Sequence, residues 1–176
     1  MLYFIVEGIT DCALVNRLLE DKIENSDYKF LGKKGISSVF KTIEKLTDKD
    51  FDDNSYFAIV DADDSFETRK SEIEEKIGSK NVGYYILPNH RASGDLETLI
   101  LDIIGNNEII DCFNDYKKCI EAKYPDCQID NKAKLYAYTT IEHNKRSEKY
   151  IEENLDIEHP NFDELKQKLQ NLFKEE

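Results

Sequence analysis

The sequence predicts an α/β protein with a four-stranded parallel sheet flanked by helices and a mostly helical C-terminal extension. Over about the first ninety residues, short apolar runs alternate with helix-length amphipathic segments, as in β-α-β units. The 176 residues correspond to about one domain at roughly 150 residues per domain. Hydrophobic residues make up 40% of the chain, which is enough for a packed core and too much for a disordered chain.

Each strand and helix of the first part is predicted from a local pattern. A continuous apolar run, typical of a strand buried on both faces, occurs at residues 2–6, and short strands are also predicted at 28–31, 56–60 and 82–87. Between these segments, apolar residues recur at helical spacing. The three stripes are Cys12, Ala13, Val15, Leu18, Leu19 and Ile23; Ile36, Val39, Phe40, Ile43 and Leu46; and Phe66, Ile73 and Ile77.

The second part of the chain is predicted to be mostly helical. Apolar stripes begin at Leu96, Ile109 and Phe162, and Gly105 is the expected end of the first of these helices. Residues 133–141 are assigned to a helix, although an alternating strand also fits them. Asn161 and Glu164 are expected to form a capping box before the last helix. The polar segment 143–154 is expected to be a mobile loop.

The charge of the chain restricts its function. It has 37 acidic and 24 basic residues, for a net charge of −13. This balance argues against a protein that holds DNA or RNA by bulk charge, because such binding depends on clustered Lys and Arg. It does not exclude a metal-dependent enzyme acting on phosphates, since bound cations reverse the local sign.

The sequence predicts a cytoplasmic protein without a membrane partner. No apolar run approaches the ~20 residues of a membrane helix, and the first residues form a strand pattern without a basic lead-in or cleavage site. No CxxC pair is present, and no His lies at zinc-finger spacing from a cysteine. We expect all four cysteines to be reduced thiols: Cys12, Cys112, Cys119 and Cys127.

Acidic residues concentrate where the predicted strands end. Glu7 ends the first strand, Asp61 and Asp63 end the third, and Asp11 and Glu97 lie at helix starts. Carboxyl ends of parallel strands meet at one edge of a sheet, so at least four carboxylates are expected to converge. Oxygen-only ligation suits Mg²⁺ or Mn²⁺. Taken singly, Asp11 also fits a helix N-cap and Glu97 a first-turn acid.

Three basic residues are candidates for phosphate binding near the same edge. Lys33 and Lys34 lie in a glycine-flanked loop before a helix N-terminus, which favours anions. Arg91 follows the fourth strand, and its cation would stabilise charge that builds on a phosphate. The alternative for Lys33 and Lys34 is an ordinary solvated turn.

Two motifs resemble the Toprim family. Residues 4–11 read FIVEGITD, an apolar strand ending in Glu-Gly, and residues 57–63 read FAIVDAD, an apolar strand ending in Asp-x-Asp. The resemblance covers roughly residues 1–100 and implies a Rossmann-like sheet and Mg²⁺-dependent phosphodiester chemistry. By position, Glu7 matches the family's acid/base or metal glutamate, and Asp61 and Asp63 match its metal aspartates. Residues 1–104 are therefore the expected Toprim-like catalytic core, with 105–176 as a helical extension packed on the same domain.

Further features resemble the OLD-type nucleases and related small stand-alone Toprim proteins. These are the Glu-Gly-x-x-Asp form of Glu7 with Asp11, and the Gly-Asp-Leu-Glu segment at 94–97. The resemblance implies an additional carboxylate for a second metal, Glu97, and a catalytic lysine, for which Lys134 or Lys132 is the candidate. No GxxxxGK[ST] motif is present, so an ATP-driven role would need an ATPase partner. Related proteins suggest a setting in phage defence or repair.

The expected function is hydrolysis of DNA or RNA by two Mg²⁺ or Mn²⁺ ions about 4 Å apart. The expected ligands or base are Glu7, Asp11, Asp61, Asp63 and Glu97. We expect the isolated chain to bind nucleic acid weakly and to depend on divalent cation. One alternative is a Toprim-derived or receiver-like module that binds Mg²⁺ and a protein partner without turnover. The other is a phosphatase of the haloacid-dehalogenase type, with a phosphoaspartate at Asp61.

Overall fold

Four parallel strands form a single sheet in the computed structural model of the chain, which describes residues 1–20 and 27–173. The strands are β1 (Leu2–Val6), β2 (Tyr28–Gly32), β3 (Ser55–Asp61) and β4 (Val82–Leu87). Their order across the sheet is β2-β1-β3-β4. This arrangement confirms the predicted α/β class with a Rossmann-like sheet. Because β1 and β3 are central neighbours, their carboxyl ends lie side by side.

The helices follow the strands and continue through the C-terminal region. They are α1 (Ile9–Leu19), α2 (Ile36–Lys45), α3 (Phe66–Ile77), α4 (Leu96–Ile104), α5 (Glu108–Lys123), α6 (Asn131–His143), α7 (Ser147–Glu153) and α8 (Asp163–Asn171). Two short 3₁₀ turns lie at Asp48–Phe51 and Pro160–Phe162. The helical assignment of residues 133–141 and the end of α4 at Gly105 are confirmed. The predicted helical position Ile23 lies outside the described residues.

An apolar layer covers each face of the sheet. Successive strand residues point to opposite faces, so Phe4 and Val6 enter one layer and Ile5 enters the other. The layer that contains Phe4 is built with residues of α1, α4, α6, α7 and α8. The opposite layer is built with residues of α2 and α3. The C-terminal helices therefore share a core with the central strand.

The segment expected to be a mobile loop contains a helix, so that prediction was wrong. Tyr150 and Ile151 of α7 are buried in the layer that contains α1, and Leu155 follows them into it. A seven-residue helix gains most of its stability from tertiary packing, which a polar local sequence does not show.

The expected capping box before α8 is also absent. A 3₁₀ turn precedes α8, and its N-cap residue, Phe162, makes no side-chain capping bond. The backbone N–H of Asn161 instead donates to the ring of His159 at 3.2 Å, and Glu164 pairs with Arg91 at 2.6 Å.

All four cysteines are free thiols, as expected. Among the described residues, no helix combines the length and the apolar character needed to cross a bilayer.

Candidate functional site

Glu7 lies where β1, β3 and the N-terminus of α2 meet. Its Oε1 accepts a hydrogen bond from the backbone N–H of Asp61 at 2.9 Å, and the N–H of Ile36 also donates to its carboxylate. Burial raises the pKa of the Glu7 carboxyl group, while these two donors and the Arg69 cation oppose the rise. The carboxylate that directly follows β1 is thus held in place by two neighbouring elements, β3 and α2.

Asp11 is buried in the first turn of α1, with 5% of its surface exposed. Its Oδ2 accepts a hydrogen bond from the backbone N–H of Gly8 at 2.7 Å. Gly8 is the N-cap residue, so Asp11 reaches back from the third helical position and is not the N-cap itself. Burial, together with the charges of Glu7 and Glu97, raises the pKa of Asp11 to about 7.

Asp61, the last residue of β3, connects this strand to the start of α4. Its Oδ1 accepts a hydrogen bond from the backbone N–H of Leu96 at 2.9 Å. Burial raises its pKa to about 9, and the negative charges of Asp11, Glu7 and Glu97 add to the rise. The four carboxyl groups act on one another electrostatically. We call them the carboxylate cluster: Glu7, Asp11, Asp61 and Glu97.

Glu97 enters this cluster from the first turn of α4 and is 8% exposed. Burial raises its pKa, and the Lys132 ammonium opposes this effect. The start of α6 is held at α4 because Nδ2 of Asn131 donates to Oγ1 of Thr98 at 3.0 Å. Lys134 lies two positions after Lys132 on α6 and therefore about 200° around the helix from it. Of these two lysines, Lys132 is therefore the one whose charge acts on the cluster.

Asp63 faces a different partner from Asp61. Two residues apart in an extended chain would point the same way, but β3 ends at Asp61 and Asp63 has a φ of +51°. Its backbone bridges to Gly94 through hydrogen bonds of 2.8 and 2.7 Å. Its carboxylate forms an ion pair with Arg69 of α3. The turn after β3 thus gives Asp63 its own partner, Arg69, although the charge of Asp63 still raises the pKa of Glu7.

Arg69 is the site residue that sequence reasoning missed. It is 9% exposed, and its Nε donates to the carbonyl oxygen of Asp61 at 2.8 Å, while its other nitrogens pair with Asp63 and Glu72. The burial of Arg69 could have been predicted from the sequence, because it lies three residues after Phe66 and four before Ile73, on the inward stripe of α3. A charged residue on a buried stripe requires a polar partner.

The three candidate phosphate ligands have different surroundings. Lys33 and Lys34 are exposed in the turn between β2 and α2, and the Lys33 N–H donates to the carbonyl of Val6 at 2.9 Å. The Lys33 charge lowers the pKa of Cys12, against a larger rise from burial. Arg91 is exposed and pairs with Glu164 at the start of α8. The two lysines therefore lie at the end of β1, whereas Arg91 is engaged with the C-terminal region.

The sequence model of a family described as "Protein of unknown function (DUF3226)" matches residues 3–174. The chain belongs to this family. The match includes the sheet, the carboxylate cluster and the C-terminal helices. The comparisons with curated proteins and with solved structures give no match.

The donor chemistry of the carboxylate cluster in this family member fits a hard divalent cation. Its ligands are all carboxylate oxygens, and burial raises the pKa of each of the four groups, an effect that a nearby cation would oppose. Within residues 1–20 and 27–173, however, no group of three or more His, Cys, Asp or Glu side chains is already arranged to hold a metal ion. Binding would require the side chains to draw closer.

Proposed function

We propose that this chain is a Mg²⁺- or Mn²⁺-dependent nuclease of the Toprim type, which hydrolyses phosphodiester bonds in DNA or RNA. The observation that carries the proposal is the carboxylate cluster. Its members come from the ends of β1 and β3 and from the helices after β1 and β4, which is where ligands bind in parallel sheets. Buried carboxyl groups whose charges raise the pKa of Asp11 and Asp61 are costly unless a ligand offsets the repulsion.

Glu7, Asp11, Asp61 and Glu97 would hold the metal, with two ions proposed. When bound, such ions polarise a phosphate and lower the pKa of a bound water. Asp63 is held by Arg69 and becomes a further ligand only after that ion pair opens.

The remaining roles fall to residues whose surroundings suit them. Glu7 is the proposed acid/base group, because the Asp61 and Ile36 N–H groups hold its carboxylate in place while burial raises its pKa. Lys132 is the proposed catalytic lysine, in preference to Lys134, because its ammonium acts on the cluster through Glu97.

We assign substrate binding to the β2 side of β1, which is opposite to its β3 side. Lys33 and Lys34 precede the N-terminus of α2 and are exposed, so they are available to a phosphate next to the reacting one. Arg91 receives no role in this mechanism, because it pairs with Glu164. The net charge of −13 predicts weak binding by the chain alone and leaves a place for a protein partner, such as an ATPase, that holds the substrate.

A module that binds Mg²⁺ and a protein partner without turnover is the second candidate function. It is favoured by the ion pair between Asp63 and Arg69, because an engaged Asp63 is not available as a further metal ligand for catalysis.

The test is cleavage of supercoiled plasmid, linear duplex, single-stranded DNA and RNA with Mg²⁺, with Mn²⁺ and with EDTA. We expect metal-dependent cleavage that falls by at least about 100-fold in Glu7→Gln and in Asp61→Asn. Asp64→Asn is the matched control, because this exposed carboxylate lies next to the cluster and outside it.

Absence of cleavage on every substrate would contradict the nuclease. The melting temperature then distinguishes the second candidate. A rise with Mg²⁺ that is lost in Asp61→Asn would support a metal-binding module.

A further inference from the structure

An imidazole is held at the free edge of the sheet, just after β4. This strand is the outermost one on its side, and His90 turns back onto it with a φ of +58°. The backbone N–H of Ile86 donates to Nδ1 of His90 at 3.0 Å, and the His90 N–H donates to the Ile86 carbonyl oxygen at 2.7 Å. These two bonds fix the imidazole against the strand.

Three aromatic rings surround this imidazole. The ring of Tyr85 stacks on His90, with the centroids 5.0 Å apart and the planes at 16°. The ring of Tyr84 lies at 5.5 Å and that of Phe66, on α3, at 6.0 Å. Because Nδ1 accepts a backbone hydrogen bond, the proton of the neutral imidazole is on Nε2. No acceptor contacts this Nε2–H in the part of the chain that the structure describes.

Two lysines act on the same imidazole from helices on opposite faces of the sheet. Lys168 lies on α8, in the layer that contains Phe4, and its Nζ is 5.7 Å from the centroid of the Tyr85 ring. Lys70 lies on α3, in the opposite layer. Burial lowers the pKa of His90, and the charges of Lys168 and Lys70 lower it further. Both lysines are half-buried, and neither has an ion-pair partner among the described residues.

Three acidic side chains lie one helical turn from these lysines on their own helices: Glu164, Glu67 and Glu74. Glu164 pairs with Arg91 at 2.6 Å, and Glu74 accepts a hydrogen bond from a tyrosine hydroxyl group of β4 at 2.7 Å. Glu67 is exposed to solvent, which screens its charge. The four charges that act most on the imidazole are therefore three cations and Glu164, in a chain with a net charge of −13.

We propose that His90, Lys70 and Lys168 form a binding site for a phosphate group, which we call the phosphate site. The Nε2–H of the imidazole donates one hydrogen bond, and the two ammonium groups supply the charge that an anion needs next to an acidic protein. A tetrahedral phosphate has an oxygen for each of three donors that come from different elements. A planar carboxylate has only two oxygens and suits such an arrangement less well.

The phosphate site lies on one side of the carboxylate cluster and needs neither a metal nor turnover. The sheet order β2-β1-β3-β4 puts it on the β4 side of the cluster, whereas Lys33 and Lys34 lie on the β2 side. Insofar as this rests on the proposed function, a nucleic-acid strand that crosses the carboxyl edge of the sheet meets lysines on both sides of the reacting phosphate. A free nucleotide offers the same chemical group, so both sources are compared.

The imidazole NMR signals of the full chain, measured in EDTA, test the site. The chain has three histidines, and His159 is the matched control, because its Nδ1 also accepts a backbone hydrogen bond, from Asn161 at 3.2 Å. Inorganic phosphate is titrated to about 50 mM at constant pH, against sodium chloride of equal ionic strength. We expect the His90 signals to shift with a dissociation constant on the order of 1 mM and the His159 signals to stay in place.

Charge-removing variants show whether the lysines take part. Lys70→Gln and Lys168→Gln should each weaken phosphate binding by about 5-fold, and the double variant should abolish the His90 shift. Lys166→Gln is the control on α8, because this lysine is paired with Glu158 at 3.0 Å, and it should bind phosphate like the wild type.

Two further ligands identify the source of the phosphate group. An oligothymidylate without terminal phosphates carries only diesters, whereas thymidine monophosphate carries only a monoester. A His90 shift at lower oligonucleotide than inorganic phosphate concentration would support the site and assign it to a nucleic-acid backbone. A shift with the monophosphate and inorganic phosphate alone would support it and assign it to a free or terminal phosphate.

Two results would overturn the phosphate site. These are His90 signals that move no more with phosphate than with chloride, and a double lysine variant that binds phosphate as tightly as the wild type. Because the titration contains EDTA and involves no cleavage, its outcome is separate from that of the nuclease test. A chain that cleaves no substrate would still show the His90 shift.

Discussion

At the scale of single residues, Asp61 is expected to make the metal-free protein less stable as pH rises. Burial and the charges of Asp11 and Glu7 raise its pKa to about 9, whereas an unfolded Asp has a pKa of about 3.9. Between these values the folded state binds more protons than the unfolded state, so the free energy of unfolding falls with pH. We expect the melting temperature in EDTA to drop by roughly 5 °C from pH 5.5 to pH 8.5.

Asp61→Asn should flatten this pH dependence, because the amide does not titrate, and Asp64→Asn should leave it unchanged. Mg²⁺ at millimolar concentration should also reduce the slope, since the cation takes the place of the protons. A slope in Asp61→Asn equal to that of the wild type would contradict this assignment. Calorimetry at several pH values provides the measurement.

Arg69 is expected to contribute to stability mainly through its bond to the backbone of Asp61. The Asp63 side chain is 57% exposed, so its ion pair with Arg69 contributes little to the free energy of unfolding. Replacing Arg69 would also remove the donor to the Asp61 carbonyl, a loss that costs more because the guanidinium is nearly buried. Arg69→Gln should lower the free energy of unfolding by about 2 kcal/mol. Lys70→Gln, at the next position of α3, should change it by less than about 0.5 kcal/mol. Urea unfolding of both variants checks the difference, and equal effects would refute the role of Arg69.

At the scale of elements, the strands could be predicted because β1 is a continuous apolar run and the other three are short segments, rich in apolar residues, between helical patterns. The carboxylate cluster followed from the same pattern, since strand ends of a parallel sheet place Glu7 and Asp61 at one edge. Asp63 could not be placed in this way, because its direction depends on a turn with positive φ and on Arg69 from another helix. Likewise α7 depends on packing against α1, which no local pattern within its seven residues reveals.

The end of β2 depends on the absence of a side chain at Gly32. This residue has a φ of +88°, and a Cβ there would lie 2.4 Å from the carbonyl oxygen of Val6 on β1. Gly32→Ala should therefore lower the free energy of unfolding by about 3 kcal/mol, from strain and from displacement of the two strands. Gly35 has a φ of +78° but open space around it, so Gly35→Ala should cost about 1 kcal/mol. Denaturant unfolding measures the loss of stability in each variant. A larger loss for Gly35→Ala than for Gly32→Ala would contradict the close approach of Gly32 to the Val6 carbonyl.

At the scale of the whole molecule, the C-terminal helices complete one layer of the core. Phe4 and Val6 of the central strand share a buried cluster with Leu135, Ile151 and Leu169, which lie on α6, α7 and α8. A chain ending at residue 104 would expose this side of the sheet to water. Each large apolar side chain left uncovered costs about 2 kcal/mol, so the loss from several of them exceeds the usual stability of a domain.

We therefore expect the fragment 1–104 to lack a cooperative thermal transition, although it contains every strand and all four members of the carboxylate cluster. The full chain measured under the same conditions is the control. Circular dichroism and calorimetry provide the measurement, and addition of the fragment 105–176 should restore part of the transition by covering the exposed layer. A sharp melting transition of 1–104 alone would show that the sheet is stable without the C-terminal helices. In that case the helices would be free to serve chiefly as a surface for partners.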